Sequence, residues 1–126
     1  AALERGDVAE AAAAQARMWL ADGADADVRA LTEEMTRRSY ELQLPLGDAV
    51  RVVWPEPPAA GRLAEVAAPT LVVVGSDDVT DIVLIAGLLA AGIPGARKVS
   101  IDGAGHLPSL ERPGELNRLL LDFLPR

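Results

Sequence analysis

The sequence contains no cysteine, and its 126 residues include only one histidine, two tryptophans, one tyrosine and one phenylalanine. Without cysteine, neither a disulfide framework nor a thiolate metal site can stabilise the fold. Basic residues are also scarce, since 12 Lys and Arg stand against 19 Asp and Glu and leave a formal charge of −7 at pH 7. A nucleic-acid-binding protein needs a basic face to displace counterions. We therefore expect no nucleic acid among the partners.

Long apolar runs are missing as well. The most apolar stretches, residues 71–74 and 82–91, are far shorter than the roughly 20 residues that a bilayer span requires. The first residues hold no apolar run typical of a signal peptide, and they resemble a segment cut from a longer chain. We therefore expect a cytoplasmic protein without a membrane partner. The length favours one small domain.

Two helices are predicted ahead of the proline-rich part of the chain. Asp7 and Glu10 have the spacing of a capping box, and the alanine-rich run after them favours a helix closed by Gly23. Asp25 or Asp27 can cap a second helix, which should end before the next proline. The predicted apolar side of this second helix consists of Val28, Leu31, Met35 and Leu42.

A proline-rich stretch then divides the chain. The segment WPEPPAAG, residues 54–61, has the composition of an extended connector. Residues 1–60 are predicted to be a helical segment with this connector, and residues 61–126 a separate α/β unit. In the second part, residues 69–75 and 96–101 are typical of buried parallel strands. Residues 79–91 predict a helix pressed against a sheet and covered elsewhere, and a last helix begins near Pro113.

The order strand, helix, strand, helix predicts a parallel α/β fold with a right-handed crossover. Two parallel strands do not form a stable sheet alone, because parallel sheets are buried on both faces and their edges must be paired or covered. Either the chain forms a homo-oligomer through a strand edge, or its strands belong to a sheet whose other members lie in a missing N-terminal half.

Titratable side chains follow both predicted strands. The first strand ends in GSDD, which contains Asp77 and Asp78, and the second ends in DGAGH, which contains His106. Functional groups of such sheets lie beyond the carboxyl ends of the strands. A carboxylate bonded to an imidazole can fix its tautomer and stabilise the imidazolium that forms when it takes a proton. The alternatives are that these acids cap the following helix and that His106 is an ordinary loop residue.

The segments PTLVVVGSDD and IPGARKVSIDGAGHLPSLERPGELNRLLLDFL resemble the α/β-hydrolase family. In that family the strand after the cap ends in Gly-x-x-Asp, whose Asp is the triad acid. Counted from Gly75, the resemblance implies that Asp78 is the acid, rather than Asp77 or Asp81. The family's Gly-x-Gly-His carries the catalytic base, which implies that role for His106, and its Leu-Glu-x-Pro opens the final helix.

The resemblance extends to the first 60 residues, which are similar to the rear part of a helical cap. It implies that Trp19 and Trp54 line the substrate pocket, whereas simple packing is the other interpretation of both residues. The fold class implied is α/β: the C-terminal part of an α/β-hydrolase sheet, preceded by cap-like helices.

The family's nucleophile is missing from this sequence. A hydrolase of this family needs a Gly-x-Ser-x-Gly elbow and an oxyanion hole built partly from an early segment of the chain. Ser39, Ser76, Ser100 and Ser109 all lie outside such a motif. We therefore expect this chain to be inactive alone.

The activity implied for the complete enzyme is serine-type hydrolysis of an ester, lactone or related acyl bond in a small molecule, without a cofactor or a metal. A carbon–carbon bond hydrolase or a peroxidase-like enzyme would use the same residues. The alternative from another class is a non-catalytic α/β module that acts in binding or assembly.

Overall fold

The computed structural model describes residues 2–49 and 51–124. Its helices are α1 (Val8–Trp19), α2 (Ala26–Gln43), α3 (Thr80–Gly92), α4 (Pro108–Glu111) and α5 (Pro113–Phe123), and its strands are β1 (Leu71–Gly75) and β2 (Arg97–Ile101). Short 3-10 helices lie at Leu3–Arg5, Leu44–Ala49 and Ala59–Glu65. In this described part of the chain, none of the helices combines the length and the apolar character needed to cross a membrane.

Helices α1 and α2 pack against each other. The side chain of Asp7 accepts a hydrogen bond from the backbone N–H of Glu10 at 2.9 Å, so α1 begins where the sequence predicts. The side chain of Glu10 pairs with Arg5 and does not close the predicted capping box. The buried face of α1 consists of Ala11, Ala12 and Ala16. These small side chains let the two helices approach closely.

Helix α1 ends earlier than predicted. Gly23 lies in the turn beyond it, and the chain leaves the helix at Leu20, whose dihedral angles are extended (φ −98°, ψ 146°). The carbonyl of Trp19 accepts a hydrogen bond from the backbone N–H of His106 at 2.6 Å. A contact with a distant loop therefore holds the end of this helix, and the prediction that Gly23 closes it is wrong.

Three of the four residues on the predicted apolar side of α2 are exposed, whereas Val28 is half-buried. Leu31, Met35 and Leu42 are 46%, 57% and 58% exposed, whereas Thr32 is buried. The Thr32 hydroxyl donates to the carbonyl of Val28 at 2.8 Å, so it is buried with its hydrogen bond made. Thr32, rather than Leu31, Met35 or Leu42, is therefore the buried residue of this helix.

Strands β1 and β2 pair in parallel, with Leu71 opposite Arg97 and Gly75 opposite Ile101. Both strands and the α/β class are thus confirmed. Helix α3 connects the strands and packs on β1, where Val72, Val74 and Ala86 form a buried core cluster. Because the strands are parallel and in this register, their carboxyl ends lie side by side at one edge of the sheet.

Much apolar surface around this sheet is uncovered. The sheet formed by residues 2–49 and 51–124 has two strands, so each strand has one outer edge without a strand partner there. On α3, Leu84 and Leu88 are 61% and 67% exposed. The expected packing of α3 on the sheet is confirmed, but its opposite face is not covered by the described residues. The described residues therefore form the helix-on-sheet packing of a parallel α/β protein, but they do not cover the strand edges or the outer face of α3.

Candidate active site

The turns after β1 and β2 are tied to each other by hydrogen bonds. The N–H of Asp77 donates to the carbonyl of Ala104 at 2.9 Å. The hydroxyl of Ser76 accepts from the N–H of Gly103 at 2.8 Å and donates to the carboxylate of Asp77 at 2.7 Å. These bonds fix the loop that carries the predicted acid relative to the loop that carries the histidine. They also engage the hydroxyl of Ser76, which has no bond to the histidine.

The two loops approach so closely that β1 must end in glycine. A Cβ on Gly75 would lie 2.1 Å from the carbonyl oxygen of Ala104 and 2.2 Å from that of Gly105. Real Cβ atoms do not tolerate such contacts with backbone, so only glycine fits here. The Gly-x-x-Asp pattern noted in the sequence thus has a steric reason at its first position.

Asp78 and His106 form a hydrogen-bonded pair across the two strand ends. Nδ1 of His106 lies 2.9 Å from Oδ2 of Asp78 and 3.2 Å from its Oδ1. The side chain of Asp78 is 3% exposed, whereas that of His106 is 36% exposed. Asp77 and Asp81, the competing acids, are both exposed. The carboxylate therefore lies beneath an imidazole that reaches solvent.

The second oxygen of Asp78 is held by the backbone. Its Oδ1 accepts from the N–H of Val79 at 2.7 Å. The N-cap position of α3 is occupied by Val79, without a side-chain capping bond. Asp78 therefore does not cap α3. Its local bond orients the carboxylate so that Oδ2 faces the histidine.

This arrangement determines which ring nitrogen of neutral His106 carries the proton. An ionised carboxylate only accepts hydrogen bonds, so Nδ1 must donate to Asp78 and carry the hydrogen. Nε2 then has a free lone pair on a ring that is partly open to solvent. A neutral imidazole held in this tautomer can take a proton from a hydroxyl and return it to a leaving group.

Trp19, at the end of α1, covers one side of the imidazole. The two ring centroids are 4.2 Å apart and the planes are tilted by 34°. Trp54, by contrast, is 77% exposed and lines an open hollow within the connector, together with Pro55 and Pro58. The structure thus brings Trp19, but not Trp54, to the acid–histidine pair. The assignment of both tryptophans to substrate binding stays a prediction.

Sequence analysis missed Glu111 as a residue of this site. Its side chain is buried, and its carboxylate accepts hydrogen bonds from the N–H groups of Ala21, Gly105 and Leu107 at 2.7, 2.9 and 3.2 Å. A charged residue is rarely buried unless its hydrogen bonds are made. The available signal was the Leu-Glu-x-Pro motif, whose glutamate lies five positions after the histidine in the segment HLPSLERP.

The site contains no recognisable metal centre. Across residues 2–49 and 51–124, no group of three or more His, Asp or Glu side chains is arranged to hold a metal ion. The chemistry that the site can perform with its own groups is proton transfer at His106, supported by the charge of Asp78.

Comparison with known proteins finds both related sequences and related structures. No protein-family model matches the chain. A 2-hydroxy-6-oxononadienedioate/2-hydroxy-6-oxononatrienedioate hydrolase from Pseudomonas putida is 44% identical over 69 residues, which are 54% of this chain and 24% of that protein. The chain thus matches about a quarter of the length of this curated relative.

Solved structures match nearly the whole chain. The N-acyl homoserine lactone degrading enzyme Est816 has a TM-score of 0.67 and 26% sequence identity, over 95% of this chain and 49% of that protein. A thermophilic esterase from Thermogutta terrifontis has a TM-score of 0.68 and 24% identity, over 95% of this chain and 48% of that protein. The chain thus spans about half of each of these enzymes.

Proposed function

We propose that this chain, which is related to α/β-hydrolases and has the fold of the C-terminal part of their sheet, contributes the acid and the histidine of a serine-type hydrolase centre. In this proposal His106 is the general acid and base, and Asp78 orients it. The observation that carries the proposal is the contact of 2.9 Å between Nδ1 of His106 and Oδ2 of Asp78, at the ends of two adjacent parallel strands.

The geometry supports a separate role for each of these residues. Nε2 of His106 would take the proton of a hydroxyl nucleophile and pass it to the leaving group, while Asp78 stabilises the intervening imidazolium. Trp19 packs against the ring and restricts its rotation. The nucleophile and the oxyanion hole would come from a segment that this sequence does not contain, so we propose that the chain alone is inactive.

The proposed substrate is a small molecule with an ester, lactone or related acyl bond. The structural neighbours support this class, since one is described as a lactone-degrading enzyme and another as an esterase. Residues 1–60 would act as the rear of a cap that shapes the pocket, and residues 61–126 as part of the catalytic core. The contact between the rings of Trp19 and His106 supports a role for Trp19 in touching a substrate bound there.

A second candidate function is assembly without catalysis. It is favoured by the unpaired outer edges of the two-stranded sheet in the described residues and by the exposed apolar face of α3. In either case we propose that another polypeptide surface covers these groups, supplied by the missing N-terminal half or by a second copy of the chain. The state of the histidine distinguishes the two functions, because an assembly module has no need for a fixed tautomer.

We expect NMR spectra of the His106 ring to show the Nδ1–H tautomer in the wild-type chain and its loss in Asp78→Asn. Oδ1 of Asp78 accepts from Val79, so the carbonyl oxygen of an asparagine would occupy that position. Its amide NH₂ would then face Nδ1 and force this nitrogen to act as an acceptor. Correlations between ring protons and ring nitrogens distinguish the two tautomers. The spectra are recorded at about pH 9, so that the comparison concerns the neutral ring.

Asp77→Asn and Asp81→Asn are the matched controls, since each removes the same charge within three residues of Asp78, from the loop and from the first turn of α3. Both variants should retain the Nδ1–H form. If the wild-type ring carries its proton on Nε2, or if all three variants behave alike, the acid–histidine pair is not the one that hydrolysis requires and the assembly function is favoured.

A further inference from the structure

One buried carboxylate, that of Glu111, connects two parts of the chain that are far apart in sequence. Its Oε1 accepts from the N–H of Ala21, beyond the end of α1, at 2.7 Å. Its Oε2 accepts from the N–H groups of Gly105 and Leu107, at 2.9 and 3.2 Å. The proton transfers proposed above involve none of these atoms, so a reason for burying this charge has to be found elsewhere.

The bonds of Glu111 surround His106. Three consecutive N–H groups, those of residues 105, 106 and 107, are all engaged: the outer two by the carboxylate of Glu111 and the middle one by the carbonyl of Trp19. None of these three residues lies in a helix or a strand. The backbone on both sides of the histidine is therefore held by the nearby carboxylate of Glu111, and the histidine itself by the distant carbonyl of Trp19.

Close packing reinforces this connection. A Cβ on Gly105 would lie 2.5 Å from the carbonyl oxygen of Trp19 and 2.6 Å from the nitrogen of Ala21. The end of α1 thus lies directly on the backbone of the histidine loop, and Glu111 joins the two on the buried side.

Backbone dipoles, rather than an ion pair, surround the charge. The guanidinium of the adjacent Arg112 donates to the main-chain carbonyl of Glu111 at 2.9 Å and not to its carboxylate. A buried charge is costly unless its hydrogen bonds are made, and the three N–H donors meet this requirement. A site that needs both carboxylate oxygens as acceptors, each in a set direction, is specific for an acid of this length.

We propose that Glu111 is a positioning residue for His106. By accepting hydrogen bonds from both neighbours of the histidine and from Ala21, it sets the direction in which the imidazole leaves the backbone. Nδ1 is thereby held on Asp78, and the ring is held against Trp19. The inference rests on the proposed function only in taking His106 as the base. Its test measures the tautomer of His106, which depends on the bond to Asp78, and does not measure turnover.

The test is a double-mutant cycle with the His106 tautomer as the readout. Glu111→Gln keeps the shape of the side chain but leaves one acceptor oxygen, so an NH₂ group must face at least one of the three N–H donors. We expect this variant to lose about half of the Nδ1–H population. Asp78→Asn should then lower the fraction of the Nδ1–H form less than half as much in the Glu111→Gln background as in the wild type. The reason is that both residues act on the same imidazole ring.

Glu115→Gln is the matched control, since it removes the same charge from the following helix; it should leave the tautomer unchanged. Equal effects of Asp78→Asn in both backgrounds would show that Glu111 does not act through the pair and would overturn the proposal. That outcome leaves the proposed function intact. Failure of the proposed function is seen separately, as a wild-type ring with its proton on Nε2.

A second variant decides the matter if Glu111→Gln does not fold. Glu111→Asp keeps the charge and both acceptor oxygens but shortens the side chain by one methylene, so its carboxylate cannot reach the N–H groups of Ala21, Gly105 and Leu107 together as Glu111 does. We expect a partial loss of the Nδ1–H form of His106, smaller than the loss in Asp78→Asn. An unchanged tautomer in a folded Glu111→Asp chain contradicts the proposal.

Discussion

Single backbone groups shape this site as much as side chains do. Asp78 faces His106 because the N–H of Val79 holds its other oxygen, and the histidine faces Asp78 because the N–H groups beside it are bonded to Glu111. Substitutions that leave both members of the pair unchanged should therefore still disturb it.

Gly105→Ala tests how closely the end of α1 packs on the histidine loop. The added Cβ would meet backbone atoms of Trp19 and Ala21 at 2.5 and 2.6 Å, and backbone atoms cannot rotate away as a side chain can. We expect the free energy of unfolding to fall by about 2–3 kcal/mol, the upper range for an overpacked site. Urea denaturation measures the change.

Gly23→Ala is the control for that substitution. Nothing lies within 4 Å of a Cβ at Gly23, and the residue does not have a positive φ. Its unfolding free energy should stay close to that of the wild type. Equal losses in the two variants would mean that the end of α1 does not rest on the histidine loop.

At the scale of the elements, helices α1 and α2 differ in how their N-termini are capped. Both α1 and α2 have aspartate at the N-cap, Asp7 and Asp25. Only Asp7 makes a side-chain bond to the helix, to the N–H of Glu10 at 2.9 Å. Local sequence favours both caps equally, and the structure distinguishes them.

We expect Asp7→Ala to lower the free energy of unfolding by about 1 kcal/mol, the usual cost of a lost N-cap bond. Asp25→Ala, the matched variant, should cost less than half as much, because no side-chain capping bond is lost there. Thermal and urea denaturation compare the two directly. A larger loss in Asp25→Ala would show that the capping geometry at α2 differs from the one described.

The element predictions succeeded where the information was local. Apolar runs bounded by Pro and Gly located β1 and β2, and the Asp7 cap located the start of α1. The predicted end of α1 was wrong, because a contact with a distant loop decides where this helix ends. The sequence also did not reveal that Thr32 is the buried residue of α2.

For the molecule as a whole, the uncovered surface predicts self-association. The two-stranded sheet of the described residues has unpaired outer edges, and Leu84 and Leu88 are exposed on α3 beside it. Monomeric proteins rarely leave such surfaces bare. We expect sedimentation velocity at micromolar concentration to show a dimer or a larger oligomer.

The double variant Leu84→Lys, Leu88→Lys should shift this equilibrium towards the monomer, because it places charge on the apolar face of α3. Asp81→Lys is the control, since it adds positive charge on the same helix at a position that is already polar and exposed. A well-folded wild-type monomer at the same concentration would contradict the expectation.

The sequence by itself determined the α/β class and the two strands, and it singled out Asp78 and His106, which the structure brings within hydrogen-bonding distance. Residue periodicity, turn residues and the count from Gly75 to Asp78 are local properties that can be determined without the tertiary structure. Only the tertiary structure decided that Trp19 lies on the imidazole, that Trp54 does not, and that Glu111 joins α1 to the histidine loop. The physical reason is that these contacts link residues up to 90 positions apart, and their geometry depends on how closely separate elements approach rather than on any pattern within one of them.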